Sequence, residues 1–312
     1  MPASSAVQQR EIARDLDRIS VCVCTFKRPM MLARLMEALA AQATQHAFAF
    51  DVVVVDNDVN RSSEAMVRGF AGGTMTVTYD CEPERNISLA RNRAITHATG
   101  NLVAFIDDDE CPGADWLYRL HETLRRCGAD GVLAPVLPEF PPEAPDWLRQ
   151  GRVFHRKRHA TGSPIGASDA RTGNVLLNRS LFVDGQPWFD PAFGRTGGED
   201  SDFFARQFRQ DRRFVWCDEA VAYEAVPPER WTAAFHIKRL WRSGTITGER
   251  MRDGRLPTLF ARNLLGLAAC AVATPVSFAL PKHLRMRVAQ KLAYCAGVVT
   301  AYLGLSMLRD RD

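Results

Sequence analysis

The sequence has few cysteines and lacks the glycine-rich loops that bind phosphates in common nucleotide-binding folds. Its eight cysteines among 312 residues form no CxxC pair, and Cys22 and Cys24 lie in an apolar run. This pattern predicts buried free thiols and a reducing compartment. No GxGxxG follows the first apolar run and no GxxxxGK(S/T) occurs. Dinucleotide-binding and P-loop functions therefore lose their main support.

The sequence also lacks an apolar stretch at its start and any internal repeat. Residues 1–18 are polar and carry acids, which predicts a lead-in and not a secretory signal. The hydrophobic content of 46% is too high for a disordered chain. The length suits one large α/β domain with an appendage, or two modest domains.

Charge is divided unevenly along the chain. The whole sequence has a net charge of +4, but residues 228–312 carry 14 Lys and Arg against five Asp and Glu, a net charge of +9. Residues 1–227 therefore carry −5. An acidic body with a basic tail suggests two tasks, one of them at an anionic surface.

Short apolar runs alternate with helical patterns in the body. The segments 19–25, 50–56 and 102–106 are typical of buried strands, and the apolar spacing after Pro29 predicts a helix. This alternation predicts an α/β fold with a mostly parallel sheet. Each of the three strands ends in polar residues: Thr25, Asp56 to Asp58, and Asp107 to Glu110. We expect these groups to converge, because ligands bind beyond the carboxyl ends of such strands.

Four consecutive acids, Asp107 to Glu110, follow the third strand. Like charges at this density repel one another, and a strand end near a core desolvates them. A hard divalent cation, Mg²⁺ or Mn²⁺, resolves the conflict because it binds carboxylate oxygens and leaves room for substrate phosphates. The alternative is a solvated turn with a helix N-cap before Trp116.

A second acidic pair, Glu199-Asp200, follows two glycines and precedes an amphipathic helix. One of these carboxylates could be a helix N-cap. A carboxylate on such a turn could equally act as a general base toward a substrate hydroxyl. The spacing alone leaves both open.

Four segments in order, ISVCVCTFKRP, VVVVDND, RNISLARNRAITHATGNLVAFIDDDE and GGEDSDFFAR, resemble the inverting family 2 glycosyltransferases of the GT-A fold. The resemblance covers roughly residues 19–242 and is strongest to the bacterial exopolysaccharide branch typified by succinoglycan glucosyltransferases. It implies a nucleotide-sugar donor and a hexosyltransferase reaction.

The resemblance also implies roles for single residues. Thr25, Arg28, Asp56 and Asp58 match the nucleoside-binding edge, and Arg91 and Asn92 match an ARN element near the nucleotide. Asp107 and Asp109 match a DxD motif, in which the first acid faces the sugar-nucleotide and the last binds the metal; Asp108 between them is grouped with the substrate-binding residues. Asp200 matches the catalytic base, with Glu199 beside it.

Two departures from the family pattern affect these expectations. The QxxRW motif of processive synthases is missing, and only Pro228-Glu229-Arg230-Trp231 stands in its place. This favours transfer of a single sugar. The family pattern pairs an acid with Asp56, whereas Asn57 stands here; this departure concerns base recognition by Asp56.

The tail contains two uncharged apolar runs, 264–280 and 292–308, joined by a connector with Lys and Arg but no acid. Each run is at the lower limit for crossing a hydrocarbon core about 30 Å thick. A spanning hairpin would place the basic connector outside, against the positive-inside tendency. We therefore expect a hairpin that lies in the cytoplasmic leaflet of the inner membrane. The alternative is a buried helical pair that caps the domain.

Together these patterns predict three parts: a lead-in at 1–18, a GT-A catalytic domain at 19–227, and a helical, membrane-associating tail at 228–312. The leading hypothesis is a metal-dependent inverting transferase that adds one hexose, from UDP-glucose or a similar donor, to a lipid-linked saccharide acceptor. A sugar-phosphate nucleotidyltransferase and a non-catalytic membrane scaffold are the alternatives. No nucleic acid partner is expected.

Overall fold

The computed structural model describes residues 16–305 except 71, 74, 184, 186, 255 and 256. Most of the predicted lead-in, residues 1–15, and the end of the second apolar run, 306–308, lie outside the described residues. The strands are β1 (Asp17–Thr25), β2 (Phe48–Asp56), β3 (Thr76–Cys81), β4 (Leu102–Phe105), β5 (Glu110–Pro112), β6 (Gly131–Leu133), β7 (Val136–Glu139), β8 (Val175–Asn178), β9 (Phe214–Trp216) and β10 (Ala222–Ala225). The α-helices are α1 (Pro29–Ala40), α2 (Glu64–Arg68), α3 (Ile87–His97), α4 (Trp116–Cys127), α5 (Asp146–Gly151), α6 (Glu199–Arg209), α7 (Ala233–Asp253), α8 (Pro257–Ser277) and α9 (Lys282–Tyr302).

The chain divides into two compact units. The first runs to Leu137 and resumes at Arg156–Glu224; the second comprises Pro138–His155 and the chain from Ala225 onward. The predicted limits 19–227 and 228–312 differ from this division in two respects: the C-terminal stretch of the second unit begins three residues earlier, at Ala225, and residues 138–155 belong to that unit. Residues 138–155, which the sequence placed within the catalytic domain, group with the C-terminal helices, because their apolar side chains pack there.

The first unit is built on a seven-stranded sheet in the order β3-β2-β1-β4-β8-β6-β9. Neighbouring strands pair in parallel, except that β8 is antiparallel to both β4 and β6. Strands β5 and β10 pair antiparallel in a smaller sheet. The predicted mostly parallel α/β sheet is confirmed.

Helices cover both faces of the large sheet, because alternate residues of its central strands point to opposite sides. On one side, Val52 and Val54 pack in one cluster with Leu35 of α1 and Leu120 of α4. The other side carries Val53 and Val55, whose cluster includes apolar side chains of α3 and α6: Ala90, Ala94, Phe203 and Phe204. Burial on both faces explains the uninterrupted valine run of β2.

The second unit is helical, and α7 and α9 approach closely through glycines. A Cβ atom on Gly244 would lie 2.1 Å from the Tyr294 carbonyl oxygen, and one on Gly248 would lie 2.4 Å from that of Val298. Side chains in the second half of α9 are accordingly buried, among them Val298 and Ala301. The described part of the second apolar run, 292–305, is therefore largely packed against protein, and the predicted hairpin in the membrane leaflet stays a prediction.

Helix α8 differs from its neighbours in the second unit. Among the described residues it contains the one helix segment that is long and apolar enough to cross a membrane, Thr258–Ser277, with a mean hydropathy of 1.5 and 6% of it buried. Leu265, Val272 and Val276 are each at least 70% exposed. The C-terminal part of the chain therefore presents an apolar, solvent-facing helix.

Candidate functional site

The carboxyl ends of β1, β2 and β4 meet at one edge of the large sheet. The parallel register pairs Thr25 with Asp56, and β4 lies parallel to β1 on its other side. The acidic loop that begins at Asp107 follows β4 directly. The convergence that the sequence predicted for these strand ends is therefore present in the fold.

Residues from β1 and the loop after it hold the acidic loop. The Thr25 hydroxyl donates a 2.8 Å hydrogen bond to the buried carboxylate of Asp108. The Arg28 guanidinium lies 3.0 Å from Asp108 Oδ1 and 3.1 Å from Asp109 Oδ2. One arginine thus neutralises two adjacent acids in the structure.

Burial and the repulsion between neighbouring acids raise the pKa values of Asp107, Asp108 and Glu110, which favours their neutral forms. Burial, followed by the charges of Asp107 and Asp109, holds the pKa of Glu110 well above its ordinary value. The pKa of Asp108 is also raised by burial, although Arg28 opposes the shift. About half of the Asp107 side chain is exposed; even so, lost hydration on its protein side and the nearby acids raise its pKa, against the pull of Arg91.

The N-cap of the sequence's alternative interpretation lies outside the four acids. Helix α4 begins at Trp116 with Asp115 in the N-cap position. The four acids end at Glu110, before that residue. Among the described residues, no group of three or more His, Cys, Asp and Glu side chains is arranged to hold a metal ion.

Arg91 connects the acidic loop to the GGED segment. Its Nη1 atom lies 2.6 Å from Glu199 Oε1, and its Nη2 atom lies 3.6 Å from Asp107 Oδ1. The guanidinium also stands over the Phe189 ring, 5.6 Å from its centroid. Burial acts against this charge, but the two carboxylates outweigh it and raise the pKa of Arg91. Two motifs that are about 90 residues apart in sequence thus share one arginine.

Asn92 does not present a free amide. Its Nδ2 donates to the Phe189 carbonyl oxygen over 2.8 Å, and its Oδ1 accepts from the Phe189 amide over 2.9 Å. Asn86 is the N-cap of α3, accepting from the Ser88 and Leu89 amides, and it donates to the Pro191 carbonyl at 3.0 Å. Both asparagines therefore fix the loop that leads to GGED.

Asp56 and Asp58 organise the turn after β2. The buried Asp56 carboxylate accepts hydrogen bonds from the Asp58 amide, the Ser63 amide and the Tyr79 hydroxyl at 2.8–3.1 Å. Asp58 in turn accepts from the Asn60 amide at 3.2 Å. These contacts are internal to the protein, and the nucleoside-binding role of both acids stays a prediction.

The GGED segment starts α6. Gly197 and Gly198 have φ angles of 91° and 101°, a region that favours glycine, and Gly198 is the N-cap. Neither Glu199 nor Asp200 is therefore the N-cap that the sequence left open. Glu199 is buried, and its Oε2 atom has no hydrogen-bond partner among the described residues. Asp200 is half-buried and accepts from the Ser201 amide at 2.6 Å.

The family model for glycosyl transferase family 2 matches residues 20–184, which include the strand ends and the acidic loop. The chain belongs to glycosyl transferase family 2. It is 35% identical over 300 residues to the succinoglycan biosynthesis protein ExoM of Rhizobium meliloti (strain 1021), and this covers 94% of the chain and 95% of that protein. The resemblance inferred from the sequence motifs is confirmed.

Two solved structures share the fold of this family 2 member. The mannosyltransferase PcManGT from Pyrobaculum calidifontis, in complex with GDP-Man and Mn²⁺, has a TM-score of 0.61 at 20% identity and covers 96% of this chain and 94% of that one. S. aureus TarS 1-349 in complex with UDP has a TM-score of 0.53 at 17% identity, with 92% of each chain covered. The fold of this glycosyltransferase is GT-A.

Most of the residues singled out from the sequence lie in one connected network of this glycosyltransferase. Thr25, Arg28, Arg91, Glu199 and the acidic loop are linked by the contacts described above. Sequence reasoning missed Asn86 and Asn174. Asn174 is fully buried, accepts from the Trp116 indole at 2.6 Å and donates to two backbone carbonyls. Asn86 could have been found, because asparagine directly before a helical run is a common N-cap.

Proposed function

We propose that this protein is a metal-dependent inverting hexosyltransferase of exopolysaccharide or surface-glycan synthesis. It moves one hexose from a nucleotide sugar, UDP-glucose or a similar donor, to a polyprenyl-diphosphate-linked or other saccharide acceptor. The observation that carries the proposal is the link from Asp107 through Arg91 to Glu199. This link joins a carboxylate loop suited to a metal diphosphate with a carboxylate pair suited to proton removal.

Mg²⁺ or Mn²⁺ fits the donor set of the acidic loop. Asp107 and Asp109 offer hard carboxylate oxygens on a loop that is partly exposed. Cations of this kind are held by one or two carboxylates together with substrate phosphates and water, so a complete cage of protein ligands is not required. When bound by Asp109 and Asp107, the ion would supply positive charge to the leaving diphosphate.

Asp200 is the proposed base. It lies in the first turn of α6, partly exposed, next to the buried Glu199. It would accept the proton of the acceptor hydroxyl as that oxygen attacks the anomeric carbon, and the bond to the nucleoside diphosphate would break on the opposite face. A single displacement of this kind inverts the anomeric configuration, as in base-assisted glycoside chemistry.

The donor is proposed to lie along the sheet edge formed by Thr25, Arg28, Asp56 and Asp58, beside Asp107 and Asp108. UDP and GDP-Man occur in the complexes of the structural neighbours, which supports a nucleotide-sugar donor here. The name of the succinoglycan relative supports a saccharide acceptor in polysaccharide synthesis.

The C-terminal helices are proposed to hold the enzyme at the cytoplasmic side of the inner membrane, as a peripheral or monotopic protein. The exposed apolar side chains of α8 support this placement. The start of α9 adds Lys282, Arg285 and Arg287 with no acid nearby in sequence, and basic residues of this kind favour an anionic leaflet. A membrane surface is also where a lipid-linked acceptor presents its saccharide.

Turnover of a panel of nucleotide sugars, with and without Mn²⁺, tests the proposal in membranes that contain acceptor lipids. We expect Asp109→Ala to abolish metal-dependent turnover and Asp200→Asn to stop transfer while donor binding persists. Asp115→Ala and Asp202→Asn are matched controls, since these acids pair with Arg119 and Arg206 on helix surfaces. Full activity of Asp200→Asn would contradict the assignment of Asp200 as the base. Equal turnover with and without divalent ions would contradict the proposed metal dependence.

A further inference from the structure

We propose that Arg91 is a positioning residue, which holds the Glu199-Asp200 turn in line with Asp107, and that it does not bind the donor phosphates. The inference rests on the proposed function, because it assigns Asp200 as the group to be positioned. It revises the expectation that Arg91 lies against the nucleotide. Three features of the structure support it.

The first feature is the charge around the guanidinium. Arg91 and Glu199 are both buried, at 7% and 4% exposure, and their charged atoms are 2.6 Å apart. Asp107 faces the second guanidinium nitrogen. One positive charge thus already faces two carboxylates, so little of it is left to attract a diphosphate. A short, buried, charge-assisted contact is also among the stronger hydrogen bonds in proteins.

The second feature is the dependence of Glu199 on this contact. Its Oε2 atom is buried and has no hydrogen-bond partner among the residues described in the structure. If Arg91 is removed, a buried carboxylate loses its counter-ion, which is strongly unfavourable. The simplest relief is for Glu199 to turn outward. Asp200, the next residue in the same helical turn, would then move with it.

The third feature is the backbone between α3 and α6. The loop before GGED is tied to α3 by Asn92 at Phe189, by Asn86 at Pro191, and by the Ile87 amide, which donates to the Gly194 carbonyl at 3.3 Å. Beyond these anchors come Gly197 and Gly198, which permit many backbone conformations. The Arg91 contact follows directly after the two glycines. It therefore holds the first turn of α6 against α3.

Kinetics of full-length Arg91→Met separate positioning from phosphate binding. Misplacing a catalytic group by about 1 Å can cost on the order of 100-fold in rate. We therefore expect kcat to fall by about 100-fold, while the donor KM and the affinity for UDP and GDP, measured calorimetrically with Mn²⁺, change by less than about threefold. Arg91→Lys should recover part of kcat. Arg93→Met is the matched control, because Arg93 lies on the same helix and pairs with Asp80 and Glu82; its kcat should be unchanged.

Two further variants keep the inference open to contradiction if Arg91→Met folds poorly. Glu199→Gln should lower kcat without weakening nucleotide binding. Glu199→Gln combined with Arg91→Lys should lose little more than the worse single variant, because both residues act through one contact. A tenfold loss of nucleotide affinity in the Arg91 variants with kcat preserved would overturn the inference. Full activity of Asp200→Asn would instead overturn the proposed function, so the two failures are distinguishable.

Discussion

The hydroxyl of Thr25 donates a hydrogen bond to the carboxylate of Asp108 over 2.8 Å, and both groups are buried. This contact joins the end of β1 to the loop that follows β4. Because β1 and β4 are parallel neighbours, the hydrogen bond holds the acidic loop next to the carboxyl end of β1.

Replacing Thr25 by Val removes the hydroxyl and keeps the shape of the side chain. Asp108 then loses a buried donor, and we expect the free energy of unfolding to fall by about 1–2 kcal/mol. The donor KM should rise, since the loop is less well held. Chemical unfolding and steady-state kinetics measure the two effects. Thr25→Ser retains the hydroxyl and should behave like the wild type; equal losses in both variants would show that the hydrogen bond is not the cause.

Replacing Arg28 by Met should strengthen Mn²⁺ binding to the nucleotide-free enzyme. Arg28 now occupies the space between Asp108 and Asp109, and its charge competes with a cation for the same oxygens. Without Arg28, the carboxylates of Asp108 and Asp109 lose this competing positive charge, so a cation can bind them more tightly. Titration followed by the electron paramagnetic resonance signal of free Mn²⁺ measures the affinity. Arg68→Met removes a surface charge paired with Glu64 and should leave it unchanged; weaker binding in Arg28→Met would contradict the prediction.

His236 should make the second unit less stable in mild acid. It is fully buried among the rings of Trp147, Phe154 and Phe235. Burial and the Arg239 charge lower its pKa to about 4, against about 6.5 in an unfolded chain. Between these values the unfolded state binds more protons. The free energy of unfolding therefore falls as the pH drops from about 6.5 toward 4, by up to about 3 kcal/mol.

Thermal unfolding of the wild type and His236→Phe at pH 7.5, 6 and 5 checks this effect. The phenyl ring keeps the aromatic packing and cannot take up a proton. We expect the difference between the two proteins to shift in favour of the variant as the pH is lowered. A difference that does not change with pH would show that His236 does not contribute to acid sensitivity.

Gly248→Ala should destabilise the packing of α7 on α9. Alanine normally favours a helix over glycine by about 1 kcal/mol, but the new Cβ would lie 2.4 Å from the Val298 carbonyl oxygen. Overpacking of this kind costs about 1–3 kcal/mol, so we expect a net loss in the free energy of unfolding. Gly166→Ala is the control, since nothing lies within 4 Å of its Cβ position. A more stable Gly248→Ala protein would contradict the close approach.

Val272→Glu should weaken attachment to anionic vesicles. Val272 is 78% exposed on α8, and a carboxylate there opposes both insertion and the negative lipid surface. Flotation with phosphatidylglycerol vesicles should recover several-fold less of the variant than of the wild type. Val183→Glu places the same charge at a 73% exposed position of the first unit and should float normally. Equal flotation of the two variants would argue against α8 as the attachment surface.

The central architecture could be predicted because its signals are local. Uninterrupted apolar runs predict β1, β2 and β4, and the structure confirms them within a few residues. The antiparallel β8 could not be recognised, since a short apolar run carries no information on direction. The burial of α9 does have a local signal: Ala293, Gly297 and Ala301 recur every four residues, as small residues do at close helix contacts.

The site could be predicted as a set of motifs but not as a network. Runs of acids such as Asp107 to Glu110 stand out because folding alone does not favour them. The pairing of Arg91 with Glu199 joins residues 108 positions apart, and no local pattern specifies such a partner. Asn92 illustrates the same limit, because an asparagine that holds a backbone carbonyl and one that holds a ligand look identical in sequence.

The second unit is assembled from two separate stretches of chain, Pro138–His155 and the part from Ala225 onward. Trp147, Leu148 and Phe154 of the first stretch form one apolar cluster with Val226 and Met286 of the second. Truncation of the protein at residue 225 would remove Val226 and Met286 and expose the side chains of Trp147 and Phe154 to solvent. The C-terminal helices consequently cannot be transferred to another enzyme by themselves. A chimera that contains them must also contain residues 138–155.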